Sequence, residues 1–146
     1  MLVKTTRFGT LEIDPTDVIV FPLGLVGLES CREWVLLGDS QNEALAWLQC
    51  TTRPDLALAV VSPRRFVEDY QLRVFRSELA PLALDSLDQA QVLAIVSHGE
   101  QGVCLNLQAP LVINLPRRLG RQVVANGELP LQYPLVSHAA PVRKSA

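Results

Sequence analysis

The chain reads as an all-β protein, mainly antiparallel, built as a small β-barrel or β-sandwich with one short helix. Three observations predict this. Apolar runs rich in Val, Ile and Leu recur at strand length. Clusters of Gly, Pro, Asn and Asp separate them at short intervals. Only one stretch, between Ser77 and Gln91, suits a helix. With 146 residues, 49% of them apolar and 19% charged, the chain has the size of one domain and the apolar content for a core that needs no staple.

The first segment sets Leu11 and Ile13 on one face and Thr10 and Glu12 on the other, with Gly9 marking a bend or bulge. Asp14-Pro15-Thr16-Asp17 has the composition of a turn. Asp17–Phe21, Trp34–Leu37, Leu45–Cys50 and Leu56–Val61 follow as strands, with reversals at Pro22-Leu23-Gly24, Gly38-Asp39-Ser40 and Arg53-Pro54-Asp55. The Leu56–Val61 run is apolar at every position, so it needs cover on both faces. Tyr70-Gln71-Leu72-Arg73-Val74 alternates cleanly and predicts a strand with one wet face. Pro81 favours a helix starting near it over one running through it. Val92–Val96, Val103–Leu107, Leu111–Leu115 and Gln122–Ala125 complete the strands, with reversals at Gly99-Glu100-Gln101-Gly102 and Asn126-Gly127.

The search for chemistry finds little. A net charge of −2 argues against a general nucleic-acid binder, which carries a basic stripe. Residues 1–43 hold seven acids and three bases, whereas 116–146 hold five bases and one acid. The lysines are Lys4 and Lys144, so no phosphate-cradling loop is present, and no G-x-S-x-G elbow occurs. His98 and His138 stand alone; His98 lies six residues before Cys104, but a thiol in apolar surroundings is inert. Cys31, Cys50 and Cys104 form no C-x-x-C pair, and their odd number suits buried hydrophobes in a reducing compartment. No signal-peptide stretch opens the chain, and no run approaches the ~18 apolar residues of a membrane span. The expectation is a cytoplasmic protein with no metal, cofactor, small-molecule substrate or membrane contact. Arg64-Arg65 and the Arg117, Arg118 and Arg121 group are the basic spots, the second read as a hairpin tip. Without interleaved aromatics neither offers a stacking platform for nucleic acid. Glu68-Asp69 is a candidate contact patch, with a solvated loop as the alternative reading.

Read end to end, the chain resembles the FliW family of flagellar assembly factors. Thr6-Arg7-Phe8-Gly9, then Phe21-Pro22-Leu23-Gly24-Leu25-Val26-Gly27-Leu28-Glu29, carry the start of the resemblance. Trp47-Leu48-Gln49, Pro54-Asp55-Leu56-Ala57 and Phe66 with Asp69-Tyr70 follow in order. Asn106 to Asn114, Gly120-Arg121-Gln122-Val123-Val124 and Tyr133-Pro134-Leu135 close it. The departures are Val26 for a proline, and Ser62 and Glu68 for residues that read Asp and Pro. The resemblance implies a FliW-like β-barrel domain over 1–138 and a flexible tail over 139–146. It also implies a monomer without enzymatic activity that binds CsrA, an RNA-binding translational regulator, and relieves its repression of flagellin synthesis. Flagellin is the second implied partner, in a partner-switch feedback. Other readings are a small RNA-binding barrel or a small hydrolase. Against a basic partner, the candidate contacts are Glu29, Asp55, Glu68, Asp69, Asp85 and Asp88 by charge, with Tyr70 beside them. Asn106 and Asn114 read as fold-specifying amides at a bend around Ala109-Pro110.

The three thiols should react with a labelling reagent only on denaturation. Rapid labelling of any of them in the folded protein would contradict their placement in the core.

Overall fold

The computed structural model describes residues 1–100 and 102–135. Strands β1 (Leu2–Thr5) and β2 (Gly9–Glu12) pair as an antiparallel hairpin. Gly9, at φ +74°, ends its reversal, so the expected bend is the hairpin's own corner. Asp14 then caps a 3-10 turn, Pro15–Asp17, by accepting the Thr16 N–H at 3.0 Å. That bond, with one from the Thr16 hydroxyl, holds the Asp14 carboxyl below the ordinary carboxylate range.

Seven strands close a barrel: β3 (Ile19–Val20), β4 (Glu33–Gly38), β5 (Leu45–Cys50), β6 (Ala57–Val61), β7 (Ala90–Gly99), β8 (Gly102–Asn114) and β9 (Leu119–Gln122). Neighbours from β3 to β9 pair antiparallel in chain order. The exception is the seam, where β3 meets β9 in parallel at Val20 and Leu119 and the Val20 N–H donates to the Arg118 carbonyl at 2.9 Å. The fold is therefore a closed mixed barrel rather than a sandwich. A short β10 (Tyr133–Pro134) lies outside the ring on the first part of β8.

Alternation along the strands fills both faces of this wall. Ile19, Phe21, Trp34, Leu48, Val60, Leu93, Leu111 and Ile113 form the interior. Val61, Ala94, Leu105 and Leu107 point outward and are covered by Tyr70, Leu72, Leu129 and Leu135. Val112 and Val123 are covered by Leu82, with Leu79 and Val74 alongside. The outer cover comes mainly from the long connection between β6 and β7. The two-sided cover expected of β6 is thus supplied by the interior at Val60 and by this connection at Val61.

Several elements differ from their sequence reading. The two strands expected over 103–107 and 111–115 are one strand, β8, which bulges where Ile95 faces Asn106 and Leu93 faces Leu111. The Asn106 side-chain oxygen accepts the N–H groups of Gln108 and Ala109 at 3.1 and 3.0 Å, which satisfies the bulged backbone. The last strand begins earlier than expected, at Leu119, though Val123 and Ala125 still donate to the carbonyls of Pro110 and Gln108. The segment 70–74 alternates in burial but joins no ladder. Among the described residues its backbone links are the Tyr70 N–H donating to the Val67 carbonyl and the Asn126 N–H donating to the Arg73 carbonyl. The helix, Arg76–Leu79, ends before Pro81 instead of starting near it, and Pro81 sits in a following 3-10 turn, Ala80–Leu82. A proline without an N–H fits that first turn as well as a helix start. The expected tail at 139–146 lies outside the described residues.

Closure at the seam rests on Gly120. A Cβ there would stand 2.4 Å from the ring of Phe21, which is itself fully buried. Gly120→Ala should therefore destabilise the fold by about 1–3 kcal/mol or more through overpacking. Urea denaturation should show a lower midpoint at unchanged slope; an unaltered midpoint would mean the seam has slack.

Candidate partner-binding surface

The connection from β6 to β7 is where the candidate contact residues gather. Pro63 is buried and opens a 3-10 turn, Pro63–Arg65, whose carbonyl at Pro63 accepts the N–H groups of Phe66 and Val67 at 3.1 and 2.9 Å. The chain then reverses through Asp69 in the left-handed region at φ +62°, a conformation aspartate tolerates better than most residues. This reversal leaves Glu68 and Asp69 exposed and turns Tyr70 inward, where only 8% of it is accessible. Leu72 and Val74 point inward after it, while Gln71, Arg73 and Phe75 face solvent. Asp85 and Asp88 follow in a turn fixed by the Ser86 hydroxyl, which accepts the Asp88 N–H at 3.2 Å, and by the Gln89 side chain, which accepts the Asp85 N–H at 3.0 Å. Both carboxylates are exposed.

Asn114 ties this wrap to the barrel. Its buried amide donates to the carbonyls of Leu82 and Ala83 at 2.8 and 3.4 Å, and its oxygen accepts the Arg117 N–H at 3.3 Å. The fold-specifying reading of both asparagines is the one their bonds support.

Two hollows lie in this flank. One of about 490 Å³ is lined by Arg64, Tyr70, Leu72, Val74, Leu87 and Asp88, among others. The other, about 320 Å³, is lined by Val67, Asp69, Tyr70, Arg73 and Leu129, among others. Tyr70 lines both. Its hydroxyl is buried and has no hydrogen-bond partner among the described residues. Burial raises the phenol above its ordinary pKa, partly offset by the positive charge of Arg64.

The structure brings Glu68, Asp69, Tyr70, Asp85 and Asp88 onto one wrap and leaves Glu29 and Asp55 elsewhere. Asp55 belongs to the turn before β6, whereas the 62–70 loop leaves the other end of that strand, about 17 Å away at strand rise. Asp55 pairs with Arg53 at 3.7 Å, and Glu29 accepts the Gly27 N–H at 2.7 Å, holding its own loop. Val26, the departure from proline, donates its N–H to the Gln122 side chain at 2.8 Å, a bond proline cannot make.

One cluster escaped sequence reading. Arg7 stacks 4.0 Å above the Trp47 ring, Phe8 meets the same ring edge-on at 6.2 Å, and the Trp47 indole N–H donates to Asp39 at 3.2 Å. That donor, then the Gln41 N–H, holds the Asp39 carboxyl below its ordinary range. Both motifs were visible, but nothing in a single sequence joins residues so far apart.

The histidine and cysteine readings resolve simply. His98 is exposed opposite Val103, while Cys104 is buried with its thiol 3.5 Å from the Ser97 hydroxyl. Cys31 and Cys50 are likewise buried free thiols, and His138 lies outside the described residues. Among the described residues no cluster of three or more His, Cys, Asp or Glu could hold a metal ion, and no helix is long and apolar enough to cross a membrane.

These features define a class first: small closed mixed β-barrels with one flank wrapped by a long charged connection. Residues 2–135 match the model of the FliW protein family. The chain is 34% identical over 127 residues to the flagellar assembly factor FliW of Natranaerobius thermophilus, covering 85% of this chain and 84% of that protein. It is 33% identical over 138 residues to the flagellar assembly factor FliW of Bdellovibrio bacteriovorus, covering 92% and 79%. A crystal structure of the flagellar assembly factor FliW shares the fold at a TM-score of 0.83 and 24% identity, covering 93% of this chain and 96% of that one. The chain belongs to the FliW family of flagellar assembly factors, which are not enzymes.

Replacing Asn114 by Leu should strand two carbonyls of the wrap and cost about 1–3 kcal/mol. Amide hydrogen exchange should quicken most over 76–90. Uniform quickening across the barrel instead would show that Asn114 supports the whole core rather than the wrap.

Proposed function

We propose that this protein acts in the cytoplasm as a flagellar assembly factor that binds the regulator CsrA, relieves its repression of flagellin synthesis, and binds flagellin in a partner-switch feedback. The observation that carries the reading is membership of the FliW family together with the wrap, where Glu68, Asp69, Asp85 and Asp88 are exposed and take part in no ion pair among the described residues. CsrA holds RNA through basic residues, so free carboxylates are complementary to it. Arg64, Arg65, Arg73 and Arg76 share the same flank, which makes it mixed rather than uniformly acidic. Such a surface sets orientation and encounter rate more than intrinsic affinity. No cofactor enters this function, and a monomer suffices for it.

The switch requires the two partners to antagonise each other. If they share a surface, the apparent Kd for CsrA rises with free flagellin without limit. If they occupy separate coupled sites, the rise levels off, typically at about 5–150-fold. A barrel with one continuous interior offers few bistable elements, which favours overlap. Titrating CsrA across a wide flagellin range should give the unlimited rise, and charge reversal at Glu68 and Asp69 should slow CsrA association at low salt. A ternary complex with unaltered affinities would refute the switch.

A further inference from the structure

The wall of the larger hollow contains a break in the ladder. β6 pairs with β7 only at Val60 with Ile95 and Val61 with Ala94, after which the chain turns away through Pro63. β7 begins four residues before Ala94, and Ala90, Gln91, Val92 and Leu93 have a neighbouring strand on the β8 side alone. Backbone groups in a strand alternate in direction, so half of this stretch faces the missing neighbour.

Which half is fixed by two independent bonds. The Ala90 N–H donates to the Leu87 carbonyl and not to β8. On the far side of β8, the carbonyls of Pro110 and Gln108 accept from Val123 and Ala125, so Val112 and Asn114 also direct their backbone groups toward β9. Both lines give the same alternation. Gln91 and Leu93 bond to β8, and Val92 directs its N–H and C=O away from it. Val92 has no hydrogen bond to any group beyond the ladder among the described residues, and it lines the hollow of about 490 Å³. The backbone groups of Leu72 and Val74, which line the same hollow, have none either. These residues are half-buried, so the groups are left to water or to an incoming chain.

The rest of the hollow matches an extended chain. Leu72, Val74, Leu79, Leu87 and Val112 supply apolar surface for alternate side chains. Arg64 is exposed on the wall, its guanidinium pairs with no carboxylate among the described residues, and it is a donor suited to one.

We infer that the hollow between the 62–70 loop and β7 receives an extended segment of a protein partner, which adds a strand to the Val92 edge, sets apolar side chains on Leu72, Val74 and Leu87, and offers a carboxylate to Arg64. Main-chain bonds supply affinity in such strand addition, and the alternate side chains supply selectivity. Pro63 explains why the protein does not fill the site itself. Opposite Val92, at the next bonded position after Val61, stands a residue without an N–H in a chain already turning. The choice of partner for the test rests on the proposed function.

Amide exchange measured by NMR reads the inference directly. In the free protein the Val92 amide should exchange at least about tenfold faster than those of Gln91 and Leu93. Adding flagellin or CsrA should slow it by at least about tenfold. Arg64→Glu, an exposed change, should weaken the partner that protects Val92 by about tenfold and leave the other unaffected. Binding of both proteins with no slowing at Val92 overturns the strand-addition site and leaves the proposed function intact, whereas binding of neither sinks both. A Val92 amide already slow in the free chain, and quickened by deletion of 139–146, would assign the groove to the protein's own C-terminal segment and overturn the inference.

Discussion

A barrel is only as closed as its last seam, and here the seam is a parallel contact between two short strands. β3 contributes two residues and β9 four, so few backbone bonds hold the first strand to the last. The contact that makes up for this is the outer end of the Phe21 ring set against Gly120, so close that a Cβ there would overlap it. Everything inside depends on it. Trp34, Leu48 and Ile113 are dry because the ring of strands has no gap on this side. The Phe21-Pro22-x-Gly24 turn works to the same end. Gly24, at φ +68°, lies against the Glu29 backbone so closely that a Cβ would overlap it, and this folds the 22–31 loop over the barrel end.

Among the described residues three amide side chains hold connections, though the Gln49 side-chain oxygen and the Tyr70 hydroxyl are buried without a partner. Gln49 is fully buried in β5, and its amide nitrogen lies within 3.0–3.3 Å of the carbonyls of Cys50, Arg53, Pro54 and Leu56, gathering the whole turn before β6. Asn106 fills the bulge of β8, and Asn114 anchors the wrap. Three amide side chains thus do for loops what ladders do for strands. A buried amide that meets its carbonyls is stabilising, whereas one without them would cost more than an apolar residue of the same shape.

The sequence made the strands legible where apolar runs ended at Gly or Pro. Leu45–Cys50 is a strand with those bounds, and the one short helix falls within one residue of the expected stretch. It misled where two signals conflicted. Ala109-Pro110 looked like a break, yet the Pro110 nitrogen faces Val123, just past the end of β9, where the ladder needs no donor, so β8 runs through it. Gln71 to Val74 carried a strand's alternation without a strand's partner, because periodicity reports burial on one face and says nothing of neighbours. The acidic candidates were found by charge alone, and charge could not separate Glu29 and Asp55, which serve their own turns, from the group on the wrap. The Arg7–Trp47–Asp39 cluster and the seam at Gly120 were out of reach for the same reason: both are contacts between distant segments.

The β1–β2 hairpin stands apart from the barrel's ladder. A single backbone bond, from Thr6 to the Pro54 carbonyl, joins its tip to the ring, with Arg7 and Phe8 resting on Trp47 and Val3 tucked beneath. Detaching it breaks no barrel ladder. Lifting the hairpin therefore costs less than global unfolding, because it forfeits the Thr6 bond and the packing of Val3 and Phe8 but none of the ring's strand pairing. Trp34 is fully buried and Trp47 only half-buried, so a neutral quencher of indole emission sees two populations, and its access to Trp47 rises when the hairpin lifts. A protease meeting the native protein gains its first foothold by the same excursion, at the turn around Phe8.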